Sequence, residues 1–218
     1  LLRNSFTDES PSPKTITTSG TASITTTAGQ WKYSGSAFSL TKSTSSYIQA
    51  GVANDSAFDF GSGDFTIEAW INPSVVSGYN NGVVGTTAGP YNGEGWIIYV
   101  LSGQLSFYVY SDTSNPTFYI TGGTITLNSY SHIAVTRSGS TIRSFINGTL
   151  VASGSLSGAL VTTNAYSKFL RVGFQSYTDG VYDYAGFIDD LRITKGVARY
   201  TANFTPPTTE SSTGYYNI

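Results

Sequence analysis

The stretch IRSFINGTLVAS, Ile142 to Ser153, decides the fold. At its centre stands Asn147-Gly148, a pair suited to a tight turn in which both residues take positive φ. Such a turn joins two antiparallel strands. Just upstream, HIAVTR (132 to 137) reads as a neighbouring strand. WIIYVLSGQLSFYVY, Trp96 to Tyr110, reads as a second hairpin turning at Ser102-Gly103. FTIEAWI, Phe65 to Ile71, puts Phe65, Ile67, Ala69 and Ile71 on one face and Thr66, Glu68 and Trp70 on the other. Large residues on both faces predict a strand inside a sandwich.

The remaining segments are shorter. Residues 15 to 27 are Thr-rich with Ile16 and Ile24 as anchors, which suits an exposed or edge strand. Short strands are expected within Trp31–Leu40, at Tyr47–Ala50, around Gly82–Gly85, at Thr117–Ile120 and at Phe169–Phe174. KGVARY, Lys195 to Tyr200, reads as a helical turn before the Pro206-Pro207 break. About a dozen short strands with no amphipathic helix of ordinary length predict an all-β, two-sheet antiparallel jelly-roll sandwich. The expected organisation is one domain over 1–207 and a C-terminal extension over 208–218.

FIDDLRIT, Phe187 to Thr194, carries the most chemistry. Strict alternation places Phe187, Asp189, Leu191 and Ile193 on one face, and Ile188, Asp190, Arg192 and Thr194 on the other. Asp190 and Arg192 can compensate each other. Asp189 then lies in an apolar stripe and needs a partner from elsewhere in the chain.

Composition excludes several classes. The chain has 218 residues, of which 11% are charged, and a formal net charge of −2. It has no basic run, so nucleic acid is not an expected partner. The longest unbroken apolar run, Trp96 to Leu101, is too short to cross a bilayer as a helix, and membrane insertion is not expected. The absence of cysteine rules out disulfides, thiolate metal sites and a cysteine nucleophile. His132 is the only histidine, so neither a histidine metal cluster nor a triad with a second histidine can form.

Four strings in series, GDFTIEAWI, HIAVTRSG, FINGTLVASG and IDDLRITKGVARYTANFTPP, resemble laminin G-like domains of the concanavalin A-like lectin/glucanase superfamily. With FTDESPSPKTIT near the start, the likeness runs from Phe6 to Pro207 and is greatest to copies in bacteriophage virion structural proteins. The chain departs from those copies in its short LLRNS start and in Glu9, where a serine is usual. The resemblance implies a jelly roll on a virion or another extracellular surface, binding glycan or neighbouring virion proteins as a homo-oligomer or part of a larger assembly. It also implies a structural Ca²⁺ held by Asp8 and Asp189.

The superfamily's glucanases carry alternating carboxylates along one strand. Here no two acidic residues are two positions apart. The expected function is therefore a non-enzymatic lectin-like module, with a purely structural virion protein as the alternative and a glycan-cleaving enzyme as a weaker one. The candidate ligand contacts are Trp70, beside Glu68, and the loop tyrosines Tyr79, Tyr91, Tyr177, Tyr182 and Tyr184. Their rings offer flat apolar faces to sugars, and the tyrosines add a hydroxyl handle.

Overall fold

The structure is a computed structural model, and it describes residues 5–33, 35–42, 46–76, 80–86, 95–110, 116–160, 169–174 and 183–211. The strands are β1 (Ile16–Ser19), β2 (Ser23–Thr25), β3 (Ala37–Leu40), β4 (Tyr47–Ala50), β5 (Phe65–Pro73), β6 (Asn80–Gly85) and β7 (Gly95–Leu101). They continue as β8 (Gln104–Tyr110), β9 (Phe118–Gly122), β10 (Ser131–Ser138), β11 (Thr141–Ile146), β12 (Thr149–Ser155), β13 (Leu170–Val172) and β14 (Gly186–Lys195). The first sheet runs β1-β4-β13-β6-β7-β8-β9 and the second β12-β11-β10-β5-β14-β3-β2. All the strand pairs are antiparallel, as a jelly-roll sandwich requires. The Thr-rich segment supplies one edge strand to each sheet, β1 and β2.

Both expected hairpins form. Asn147 and Gly148 have φ of 49° and 77°, and Ser102 and Gly103 have φ of 49° and 78°, the left-handed values of a two-residue hairpin turn. Alternation sorts the side chains of β5 as expected. Phe65, Ile67, Ala69 and Ile71 enter the core, where they meet Trp96, Ile98 and Val100 of β7 and Phe107 of β8. Phe60 joins the two sheets by stacking on Phe65 at 4.4 Å and on Trp96 at 5.4 Å.

β14 breaks the alternation. Asp189 pairs with Trp70, but the next residue in register is Arg192, opposite Glu68. The irregularity is a bulge, and Asp190 sits in it with φ of 49°. Ile188 therefore faces the core opposite Ile71, while Asp189 and Arg192 share the outer face with Trp70 and Glu68. Asp189 is not part of an apolar stripe.

Residues 195 to 200 form no helical turn; Lys195 ends β14 and the chain continues as an irregular strap. The backbone groups a helix would pair internally are taken by threonines on the sheet's outer face. Thr66 Oγ1 donates to the Val197 carbonyl and accepts from the Arg199 amide, and Thr136 Oγ1 donates to the Tyr200 carbonyl. Tyr200 and Phe204 stack at 3.5 Å, and Phe145 meets both edge-on. The Phe204 amide donates to the Gly148 carbonyl, which fastens the strap to the β11–β12 turn. The segment beyond residue 207 is also engaged, because Ser211 bonds to Asp190 through both its amide and its hydroxyl.

A Cβ at Gly148 would collide with the Phe204 carbonyl, whereas one at Gly139, also at positive φ, meets nothing within 4 Å. Gly139→Ala should cost only the left-handed strain, about 1–2 kcal/mol. Gly148→Ala should cost clearly more by urea denaturation. Equal costs would show that the strap does not bear on this turn.

Candidate functional site

Two outer faces remain once the core is assigned, and they differ in kind. On the second sheet, Glu68 is 2% exposed and gathers the polar groups beneath the strap. Arg192 forks one of its oxygens through Nε at 2.8 Å and Nη2 at 2.6 Å. The Tyr200 hydroxyl donates to the other at 2.8 Å, and His132 Nε2 lies 3.4 Å from it. Burial works against this charge, but the His132 hydrogen bond, the Arg192 charge and the Tyr200 hydroxyl together hold the carboxyl below its ordinary value. Glu68 is thus enclosed, and it has neither the solvent access a sugar contact needs nor that of a catalytic acid.

Asp189 finds its partner in the backbone. Its Oδ2 accepts from the amides of Lys32 and Tyr33, both at 2.9 Å, and the residue is fully buried. Burial raises the carboxyl to about 6, against the pull of the Tyr33, Lys32 and Asp190 amides. The Asp190 carboxylate adds to the rise.

Asp8 lies elsewhere in its hydrogen bonding. Its Oδ1 accepts from the Ser10 amide, and its Oδ2 accepts from the Ser10 hydroxyl and the Lys14 amide, all within its own loop. Asp189 Oδ1 is buried with no hydrogen-bond partner among the described residues. Among the described residues no three His, Cys, Asp or Glu side chains gather. Calcium takes six to eight oxygens. The hydrogen bonds of Asp8 hold its own loop, and those of Asp189 hold the backbone of residues 32 and 33.

Trp70 lies beside a cavity of about 500 Å³ whose rim includes Lys32, Tyr33, Asn147 and Thr205 to Thr208. The Lys32 ammonium sits 4.0 Å over its ring, and Tyr33 and His132 meet it edge-on. Tyr184 departs from expectation. It is fully buried in the core and its hydroxyl donates to the Phe187 carbonyl, so it offers nothing to a ligand. Tyr79, Tyr91, Tyr177 and Tyr182 lie outside the described residues.

The outer face of the first sheet carries an aromatic ladder that the loop-centred reading missed. Tyr108 lies opposite Tyr119 in the β8–β9 register, with ring centroids 5.1 Å apart. Tyr99 and Tyr110 meet Tyr108 edge-on at 5.2 and 6.2 Å. Tyr99 and Tyr110 are buried, and their hydroxyls lie 3.2 Å apart in a hydrogen bond. Tyr108 is half-buried and Tyr119 is 59% exposed. The signal was present in QLSFYVY and TFYI, where a period of two puts Tyr108 and Tyr110 opposite Phe107 and Val109. Further along the face, Arg171 packs 4.8 Å from the Tyr47 ring and bonds Gln49.

A laminin G-like sequence profile described as concanavalin A-like lectin/glucanases superfamily matches residues 42–199. The chain belongs to this superfamily. No curated protein matches it by sequence. Among solved structures it is similar to domain 4 of AbnA, a GH43 extracellular arabinanase from Geobacillus stearothermophilus, in complex with arabinotriose. That likeness has a TM-score of 0.59 and 18% identity, over 85% of this chain and 84% of that one. It is similar to the binding domain of Paraclostridial Mosquitocidal Protein 1, at TM-score 0.64 and 18% identity over 89% of this chain and 49% of that one. A third likeness is to a structure of botulinum neurotoxin type C, a toxin whose cell entry is dependent upon interaction with two ganglioside molecules. Its TM-score is 0.66 at 19% identity, over 90% of this chain and 47% of that one. The chain spans about half the length of each toxin structure. At these identities the likeness is one of fold, that of lectin-like and carbohydrate-binding-like domains.

Two outcomes follow for Asp189. Its carboxyl is raised in the fold to about 6 from an ordinary 3.8. Ionisation therefore opposes folding above pH 6, and the penalty is relieved as pH falls from 6 towards 3.8. Asp189→Asn keeps the acceptor for both amides and removes the charge. Relative to wild type its stability should rise between pH 4 and pH 7, by up to roughly 3 kcal/mol, in paired urea titrations. A pH-independent difference would mean that Asp189 ionises normally. An ion held by Asp8 and Asp189 in the folded state alone would make EDTA lower the melting temperature, and an unchanged melting curve would count against it.

Proposed function

We propose that the chain is a non-enzymatic carbohydrate-binding module that presents the outer face of its first sheet, at Tyr108 and Tyr119, to a glycan on a host surface. The observation that carries the reading is the ladder itself. Four tyrosines are held edge to face by strand register, and the last ring stands open to solvent at the end of a rigid row. An exposed ring on a rigid strand meets the C–H face of a pyranose or furanose with little loss of side-chain entropy, and its hydroxyl adds a polar handle. Two proteins of the same fold, the AbnA domain in complex with arabinotriose and the neurotoxin whose cell entry depends on two ganglioside molecules, support a saccharide ligand. The enclosed state of Glu68, Asp189 and Asp190 supports binding without cleavage. The setting we assign is a virion or another extracellular surface, supported by the likeness of the C-terminal strand and strap to virion proteins.

A glycan array followed by titration calorimetry on the best hit tests this. Arabinotriose and ganglioside oligosaccharides are the first probes. Tyr119→Ala should weaken binding by about 1 kcal/mol or more, roughly fivefold, and leave the melting temperature within experimental error because the ring is exposed. An array with no signal, or affinity indifferent to Tyr119→Ala and Tyr108→Ala, would remove the reading and leave a structural role.

A further inference from the structure

Beside Trp70 the surface opens into a depression of about 500 Å³ whose base and two sides are each fixed by a specific contact. The floor is Trp70, set in β5 between β10 and β14. One wall is the segment carrying Lys32 and Tyr33, whose two amides are pinned by Asp189 Oδ2. The other is the strap from Thr205 to Thr208, tied across by the Tyr33 hydroxyl donating to the Pro207 carbonyl at 2.6 Å. Below the strap, Ser211 anchors it to Asp190. Asn147 closes one end; its Oδ1 accepts from the His132 amide, so its side-chain N–H₂ is the group left to donate.

Among the described residues, the rim has one ammonium and no carboxylate. Asp189 lies beneath the Lys32–Tyr33 backbone with Oδ2 already engaged there, and it is not among the lining residues. The remaining polar groups are hydroxyls of Thr205 and Thr208 and the Asn147 amide, which suit the hydroxyls of a sugar. Tyr33 and the two prolines supply apolar surface for its C–H faces, while Trp70, only 7% exposed beneath the Lys32 ammonium, forms the base of the site. A single ammonium matches a single carboxylate, whereas a phosphate ester or an acidic peptide would call for further cations. The volume of about 500 Å³ admits one or two sugar rings. We propose that this cavity binds an acidic saccharide, a uronate or a sialate, with Lys32 as counter-ion to its carboxylate, Trp70 as floor and Asp189 as the residue that positions Lys32.

The site is distinct from the tyrosine ladder, and the test keeps the two apart. Glucuronate, galacturonate and N-acetylneuraminate are titrated against the whole chain by saturation-transfer NMR and calorimetry, with glucose and galactose as neutral controls and an Asp/Glu-rich hexapeptide as a competing anion. The acidic sugars should bind saturably, at least tenfold tighter than the neutral ones. Lys32→Gln should abolish that preference, with Lys32→Arg restoring part of it. Tyr119→Ala should leave it intact, so a failure of the ladder reading does not touch this one. Asp189→Asn, which keeps the amide bonds, should preserve binding, whereas Asp189→Ala should weaken it with Lys32 still present. Should Asp189→Ala not fold, Lys32→Gln decides alone, since its side chain is partly exposed and its melting temperature shows whether it is folded. Absence of saturable binding, equal affinity for neutral sugars, preference for the peptide, or binding unmoved by Lys32→Gln each overturns the proposal.

Discussion

A single carboxylate decides how this sandwich can be covered. β5 is buried on both faces, yet its outer face carries Thr66, Glu68 and Trp70 rather than an apolar row. Burial of Glu68 is tolerable only because Arg192 arrives from β14, His132 from β10 and Tyr200 from the strap. Each of these comes from a different part of the chain, so the cluster closes only when strands and strap are all in place. Removing one partner from such a buried set typically costs about 3–5 kcal/mol, far more than the pair adds over an apolar replacement. The arrangement therefore specifies where the strap lies more than it stabilises the sheets.

That placement divides the molecule. The strap packs on the outer face of the second sheet, and the outer face of the first carries the tyrosines, with Tyr99 and Tyr110 buried, Tyr108 half-buried and Tyr119 exposed. A sheet face bearing Tyr108 and Tyr119 is apolar in its rings and polar at its tips, so part of it can stay in water without the aggregation hazard of a row of Leu or Ile. The half-buried ladder is thus compatible with stability as it stands. A surface of that kind is also what a weakly amphipathic ligand such as a sugar requires.

The legible parts of the fold were those set by local chemistry. Asn147-Gly148 and Ser102-Gly103 announce their turns because few other pairs accept two left-handed residues in succession, and both hairpins stand as read. FTIEAWI declared a two-sided strand because its large residues occupy both parities. The errors arose where one residue changes the parity or where a distant group intervenes. Asp190 takes a left-handed conformation in the bulge, and nothing in FIDDLRIT marks it as the place where alternation resets. The amides that satisfy Asp189 lie more than 150 positions away in sequence, and backbone donors leave no signature in side-chain identity. KGVARY resembles a helical turn by composition, but threonines on β5 and β10 outbid the local hydrogen bonds. Alternation set Tyr108 and Tyr110 on one parity of β8, but not which way that parity faces. The ladder was overlooked because aromatic residues in strands are ordinarily assigned to a core, and only the pairing of sheets shows which parity faces out.

Asp189 shows why the covered side need not be inert. A fully buried carboxylate whose pKa rises to about 6 is held against its solvation, and a neutral acceptor could take the same two amide bonds without that penalty. Its effect is geometric: two successive amides on one oxygen fix the backbone of residues 32 and 33, and with it the directions of an ammonium and a phenol. The phenol then reaches the Pro207 carbonyl, and the ammonium comes to rest over Trp70. A bulge in β14 turns Asp189 outward, Asp189 sets the loop, and the loop and strap together leave room between them. The same irregularity that defeated strict alternation is what opens a cavity on a face the strap would otherwise seal.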